Sequence, residues 1–210
     1  MFIEKPANKF SLARRKPLYG VGINDARYMT NKSTTNSSYR CPYYRIWSNM
    51  IERCYSEKRQ LNNPTYKDCT VCAGWLYFSN FRAWMINQEW KDKELDKDLL
   101  SYGNKIYSPK FCIFIPHNIN CLLLDNKKSR GDYPQGVYYY KRGGNYKSQC
   151  RVNGKTCHVG YFETPEEAGN AYIDYKVAYV ISISDSFKHD ERLFRALGNY
   201  VELLKKGKMQ

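Results

Sequence analysis

The chain has 210 residues, of which 34 are Lys or Arg and 20 are Asp or Glu, for a net charge of +14. With 42% hydrophobic and 16% aromatic residues it can bury a core, which excludes a globally disordered chain, and the basic excess favours a polyanionic partner, nucleic acid before any other. No apolar run approaches the roughly 18 residues of a spanning helix, and the N-terminus lacks a signal-peptide core. No membrane partner and an intracellular location are therefore expected, so the eight cysteines are expected as thiols or metal ligands rather than a disulfide framework.

Residues 1–40 read as a basic, poorly periodic arm, "KFSLARRKPLYG" being followed by the polar, loop-like "TNKSTTNSS". From Tyr43 the pattern turns helical, with Ile46, Trp47, Met50, Ile51 and Cys54 on one face, and "YSEKRQLNNPTY" then reads as a loop. Trp75, Phe78, Phe81, Trp84 and Met85 mark a second aromatic helix face, for which core packing is the simplest account. "LDKDLLSYGNKIYSPKFCIFIPHNIN" predicts a short hairpin running into a helix. The charged stretch "KKSRGDYPQ", residues 127–135, carries Gly and Pro and reads as a linker. At the far end Leu193, Phe194, Leu197, Val201 and Leu204 share one face of a helix that runs into the basic "KKGKMQ". The expected division is an arm (1–40), a cysteine-bearing module (41–126), a linker (127–135), a second domain (136–186) and a helix with a basic tail (187–210).

Cys69 and Cys72, in "CTVC", have zinc-knuckle spacing. Two more thiolates must come from elsewhere. A helix from Tyr43 to Cys54 would separate Cys41 from Cys54 by roughly 18 Å, too far to share one ion. Cys54 at the helix end and Cys112 (or Cys121) complete a candidate set of Cys54, Cys69, Cys72 and Cys112 for a structural zinc; four buried thiols packing as small hydrophobes account for the same residues.

Between Asp132 and Glu163 there is no acidic residue, yet Lys141, Arg142, Lys147, Arg151 and Lys155 fall there. "GVYYYKR", "NYKSQCRVN" and "KTCHVGYFE" are short runs rich in Tyr, Val and Cys, parted by "GG" and "NG", and predict a three-stranded antiparallel meander. In its middle strand Lys147, Gln149 and Arg151 alternate with Ser148 and Cys150, which puts the long polar side chains on one face. The other face needs a cover, and "TPEEAGNAYIDYKVAYV" supplies it: Thr164 as N-cap, Pro165 at the first helical position, Glu167 closing a capping box, and a stripe of Ala168, Ala171, Tyr172, Tyr175 and Ala178. The acids serve the helix start and the bases the open sheet face. A sheet face with these donors has the width to enter a DNA major groove, but an ordinary solvated face has the same composition.

Gly136-Val137, a basic turn, a second strand ending in Arg151, "HVGYF" and "TPEEAGNAY" closely resemble the Apetala2/ERF (ethylene-response-factor) DNA-binding domain over residues 134 to about 180. The resemblance implies recognition by a sheet lying in the major groove, with DNA contacts from Tyr138, Tyr140, Arg142, Gln149, Arg151, Thr156 and His158, to which the alternation adds Lys147. Several of these places hold Arg or Trp in the plant family, His158 standing at a Trp position, so the sequence read here must differ; Arg151 is retained.

"CPYYRIWSNMIERCYSEK", "PTYKDCTVCAGWLYFSNFRAWM", "LDKDLLSYGNKIYSP" and "FCIFIP" resemble bacteriophage proteins of the degenerate HNH endonuclease type, many of which carry an Apetala2-type domain behind the module. The resemblance implies an α+β chain: a ββα-metal module, then a three-stranded antiparallel sheet packed on one helix. It also implies magnesium or manganese chemistry, with candidate catalytic residues Asp96, Asp98, His117 and Asn120. The pattern is broken where it matters, because Lys97 stands at the His position and Phe111 at the central Asn position, and a lysine protonated at neutral pH is a poor base. The expected function is sequence-directed binding of double-stranded DNA with metal-dependent nicking or cleavage, as in a phage homing endonuclease working in host cytoplasm or nucleoid. Two alternatives come from other classes: a non-catalytic phage DNA-binding regulator on a retired nuclease fold, and a phage factor that binds a host protein.

Overall fold

Residues 3–34, 37–124 and 132–207 are described by a computed structural model of the chain, which divides into two units, residues 1–114 and 115–210. Helices and strands are mixed in both, so the class is α+β.

The first unit differs from expectation at its start. A short helix α1 (Lys9–Ala13) is capped by Asn8, and strands β1 (Asn31–Thr34) and β2 (Ser37–Arg40) pair antiparallel where a polar loop was expected. The Arg15 guanidinium donates to the carbonyls of Asn24 (3.0 Å), Ala26 and Tyr28 (2.7 Å), and Ala26, Tyr28 and Thr30 are buried. One arginine thus satisfies three backbone acceptors and ties residues 15–28 together, where a poorly periodic arm was expected.

Helix α2 (Pro42–Tyr55) begins as its sequence dictates, with Cys41 at the N-cap and Pro42 in the first turn, and it buries Trp47, Met50, Ile51 and Cys54. The stretch expected as a loop after it instead forms α3 (Glu57–Asn62), because the Ser56 hydroxyl accepts from Arg59 N (3.3 Å) and Glu57 sits in the first turn. A one-turn 3-10 helix follows at Pro64–Tyr66. Helix α4 (Phe78–Ile86) buries Phe78, Phe81 and Met85; its start is held by the Asp25 carboxylate, which accepts from Ser79 N (2.9 Å) and Ser79 Oγ (2.5 Å). Trp75 meets Phe81 edge-on at 5.0 Å, Tyr44 meets Phe78 at 5.3 Å, and Trp47 Nε1 donates to the Trp75 carbonyl at 2.7 Å. The aromatic stripes are core, and each buried ring pair adds about 0.5–1.5 kcal/mol beyond area burial.

The expected hairpin is split. Strand β4 (Lys93–Asp96) pairs with β6 (Ile113–Pro116), the strand in which the unit boundary falls. Between them β5 (Ile106–Tyr107) leaves to pair in parallel with β3 (Thr70–Val71). Thr70 N and Cys72 N donate to the carbonyls of Lys105 (2.8 Å) and Tyr107 (2.9 Å), so the segment's backbone groups are satisfied away from β4.

The second unit opens with α5 (His117–Leu123) and then builds the meander β7 (Val137–Tyr140), β8 (Asn145–Val152), β9 (Lys155–Phe162) in that spatial order. Helix α6 (Pro165–Ser184) lies across all three strands, and α7 (Glu191–Lys205) packs on α6. Of the expected linker, residues 127–131 lie outside the described residues, while Tyr133 rests on Tyr146 (5.4 Å) and Gln135 bridges the Leu124 carbonyl and Lys176. Among the described residues no helix is long and apolar enough to cross a membrane.

Candidate nucleic-acid interface

The turn sequence fixes the sheet. Asn153 (φ 49°) and Gly154 (φ 76°) both take the left-handed conformation of a type I′ turn, and the ladder runs back from it as Val152 opposite Lys155, Arg151 opposite Thr156, Cys150 opposite Cys157 and Gln149 opposite His158. Then the register slips by one. Ser148 faces Gly160, so Val159 is an extra residue in β9, a β-bulge, and beyond it Lys147 faces Tyr161. On the other side Tyr138 faces Lys147 and Tyr140 faces Asn145.

Directly opposed residues share a face, which sorts the sheet. Val137, Ser148 and Cys150 are buried under α6. The open face carries Tyr138, Lys147 and Tyr161 in one row, Tyr140 and Asn145 in the next towards the β7–β8 turn, and Gln149 with His158, then Arg151 with Thr156, towards the Asn153–Gly154 turn. Tyr138, Tyr140, Arg151, Thr156 and His158 are exposed, and Lys147 and Gln149 half-buried. Seven of the eight sequence candidates therefore fall together on one surface. Arg142 is exposed in the turn joining β7 to β8, next to Lys141, at the Tyr140 end of the sheet rather than on its face. Lys155, also in the basic segment, opposes Val152 and belongs to the other side.

Tyr161 was not among the expected contacts. Counting back along a regular ladder from the Asn-Gly turn would put Gly160, not Tyr161, opposite Lys147; the bulge at Val159 brings Tyr161 outward. Its ring lies 4.7 Å from the His158 ring and 5.3 Å from the Tyr140 ring. No sequence feature marks the bulge, although an alternation that fails at "VGY" beside a glycine is where one belongs.

The support beneath the face is dense. Gly136 (φ 78°) accepts from Gln149 N through its carbonyl (2.9 Å), and a Cβ there would lie 2.2 Å from the Tyr172 ring and 2.5 Å from the Gln149 carbonyl oxygen. The Thr164 hydroxyl caps α6 by accepting from Glu167 N at 3.2 Å. Ala168 and Tyr172 are buried as expected, but Ala178 is exposed. Gly169, Lys176, Val177 and Val180 are buried in its place, because α7 covers a second side of the helix. Lys176 is 2% exposed, and its ammonium lies 5.4 Å and 5.7 Å from the rings of Tyr172 and Tyr200 and donates to Gln135 Oε1 at 3.4 Å.

The candidate catalytic residues divide between the units. Asp96 and Asp98 belong to the first, at the end of β4 and just beyond it. Asp96 (9% exposed) and Lys97 (5% exposed) are buried. Asp96 Oδ1 accepts from Asp98 N (2.9 Å) and Leu99 N (2.7 Å), closing the turn after β4. The Lys97 ammonium donates to Asp98 Oδ1 (2.5 Å) and to the Asn104 carbonyl (2.8 Å). Burial holds the Asp96 carboxyl above its ordinary range despite the two amide donors that oppose the shift. His117 and Asn120 belong to α5 in the second unit; His117 is exposed, with Nε2 3.4 Å from Cys121 Sγ, and Asn120 is half-buried. As a divalent-cation cradle Asp96 and Asp98 do not fit: one carboxylate is engaged by backbone amides and the other by an ammonium.

Cys54, Cys69 and Cys112 are buried in one cluster with Cys72 packed against it. Burial pushes the Cys54 and Cys112 thiols up to about 12, with Cys69 adding to the first shift and the Asp96 carboxylate to the second. Among the described residues no group of three or more His, Cys, Asp or Glu is close enough together to hold a metal ion.

No protein-family model, curated protein or solved structure matches the chain.

Proposed function

We propose that this protein binds double-stranded DNA by laying the open face of β7–β8–β9 in the major groove. The carrying observation is the row Lys147, Gln149, Arg151 on the central strand, ringed by Tyr138, Tyr140, Thr156, His158 and Tyr161, in a segment without a single acid between Asp132 and Glu163. Three strands at about 4.8 Å spacing present a surface roughly 10 Å across, which suits a groove about 12 Å wide. Arg151 is placed for a guanine edge and Gln149 for an adenine edge, while Lys141 and Arg142 in the turn contact phosphate.

A binding titration against a selected duplex and a scrambled one, at two salt concentrations, tests the reading. Arg151→Ala is expected to cost about 1–3 kcal/mol on the selected duplex and to relax specificity at one base pair. Lys141→Ala is expected to weaken both duplexes alike and to flatten the salt slope by about one unit. Wild-type affinity for Arg151→Ala would remove the sheet as the reading surface.

For the first unit, DNA binding without cleavage has the better support, since the Asp96 carboxylate serves a turn and Asp98 is paired with Lys97. HNH-type nicking with magnesium or manganese is the second reading, carried by the sequence resemblance alone, and the engagement of both carboxylates counts against it. Supercoiled DNA incubated with either ion separates them: intact supercoils are expected, whereas nicks made by wild type and lost in Asp98→Asn would establish the nuclease. A factor that binds a host protein instead of DNA would show no salt-sensitive duplex affinity.

A further inference from the structure

We infer that the two ends of the open face read different chemistry, and that the ring cluster Tyr140–Tyr161–His158 takes thymine methyl groups, so that the target carries thymines at one end. The inference rests on the reading of this sheet as a duplex-binding surface. Its basis is a set of rings that the fold does not use. Tyr140 stands on β7 and Tyr161 on β9, with β8 between them, yet their ring centroids are 5.3 Å apart, so the two side chains lean together over the central strand above Asn145 and Lys147. His158 extends the row, 4.7 Å from Tyr161. Tyr140 remains 36% exposed, Tyr161 48% and the neighbouring Tyr138 51%. These rings contact one another on the side away from α6, so their outer surfaces are apolar area left in water.

The major groove offers one apolar group to such a surface, the C5-methyl of thymine; every other edge feature is a donor or an acceptor. A guanine or cytosine edge pressed under the rings would lose water and gain few partners, which disfavours it. The Asn153–Gly154 end of the face reverses these demands: Arg151 brings donors and expects acceptors, with Gln149, opposite His158, at the border between the two ends. Arg151 is four steps along the strand from Lys147, in the Tyr161 row, roughly 13 Å, or about four base pairs at 3.4 Å each. Lys141 and Arg142 extend past the ring end and supply phosphate contacts there without sequence preference.

The test begins with selection from a random-sequence duplex pool, expected to return a guanine or adenine separated by about four base pairs from a thymine cluster. Those thymines are then replaced by uracil, which removes the methyl groups and nothing else. Wild-type affinity is expected to fall roughly three- to fourfold per methyl lost, the worth of one buried carbon. Tyr161→Ala, at an exposed position that leaves the thermal transition in place, is expected to bind the thymine and uracil duplexes alike. Equal binding of both duplexes by wild type, with Arg151→Ala still weakened, would overturn the ring assignment alone. Absence of any duplex affinity would overturn the underlying reading and the ring assignment with it. Should Tyr161→Ala unfold, the wild-type comparison decides by itself.

Discussion

Three positions show how different the constraints on single residues are. Gly136 has no room and the wrong dihedral for any side chain: its φ is 78°, and a Cβ would meet both a ring carbon and a carbonyl oxygen well inside contact distance. Gly136→Ala is expected to destabilise the second unit by on the order of 3 kcal/mol, read from denaturant unfolding, because left-handed strain and overpacking act together. Ser148 is the contrary case. Its side chain is fully buried and its hydroxyl has no hydrogen-bond partner among the described residues, so Ser148→Ala is expected to be neutral or slightly stabilising in the same measurement. Asp96 carries a pH dependence. Its carboxyl is raised in the folded state, so the folded protein binds the extra proton and stability falls as pH rises from about 3.9 through the raised value. Asp96→Asn keeps an acceptor for the two amides and removes that loss. The variant is expected to gain stability over wild type at pH 7, and the gain is expected to vanish near pH 3.5.

Among elements, those legible in the sequence were the ones specified by local chemistry. Helix α2 has its proline start and its apolar period, the Asn153–Gly154 turn has the one dipeptide that suits its dihedrals, and α6 has Thr164. Thr164→Ala is expected to cost about 1 kcal/mol in thermal or chemical unfolding, with DNA affinity unchanged because the cap faces away from the open sheet. Elements specified by distant partners were not legible. The strands β1 and β2 are polar throughout, β3 and β5 are two residues each, and the parallel bond pattern that joins them follows from where the chain returns rather than from what it is made of. The bulge at Val159 is of the same kind, since side-chain alternation counts residues and a bulge is one residue uncounted.

At the scale of the whole molecule the charge of +14 sets an expectation for every duplex, selected or not: log affinity should fall linearly with log salt, by about 0.9 per phosphate neutralised. The candidate surface was legible down to the strand face, because alternation and one turn determine it, while its aromatic end was hidden by the bulge. The extent of the second unit was not legible either. α7 looked like an appendage in sequence, but it buries Leu193, Leu197, Tyr200 and Leu204, and the Tyr200 hydroxyl donates to the Leu122 carbonyl (3.0 Å) in α5. Leu197→Ala is accordingly expected to destabilise the unit by about 2–5 kcal/mol, as for any well-packed core leucine, and the unfolding transition of the second unit will report it.

The Asn153–Gly154 turn has a consequence in time. Its ladder joins residues that are near one another along the chain, from Val152 and Lys155 out to Tyr146 and Phe162, so each pair closes a short loop. Such a hairpin forms in about 1–10 μs, ahead of contacts such as Tyr200 to Leu122 that wait for distant segments to meet. The bulge register, and with it the outward placement of Tyr161, is therefore expected to be set before α6 covers the other face. Substitutions in the β8–β9 ladder should therefore slow refolding nearly in proportion to the stability they remove, while Leu197→Ala should act on unfolding. The surface proposed to meet DNA is thus the part of the second unit expected to take shape first.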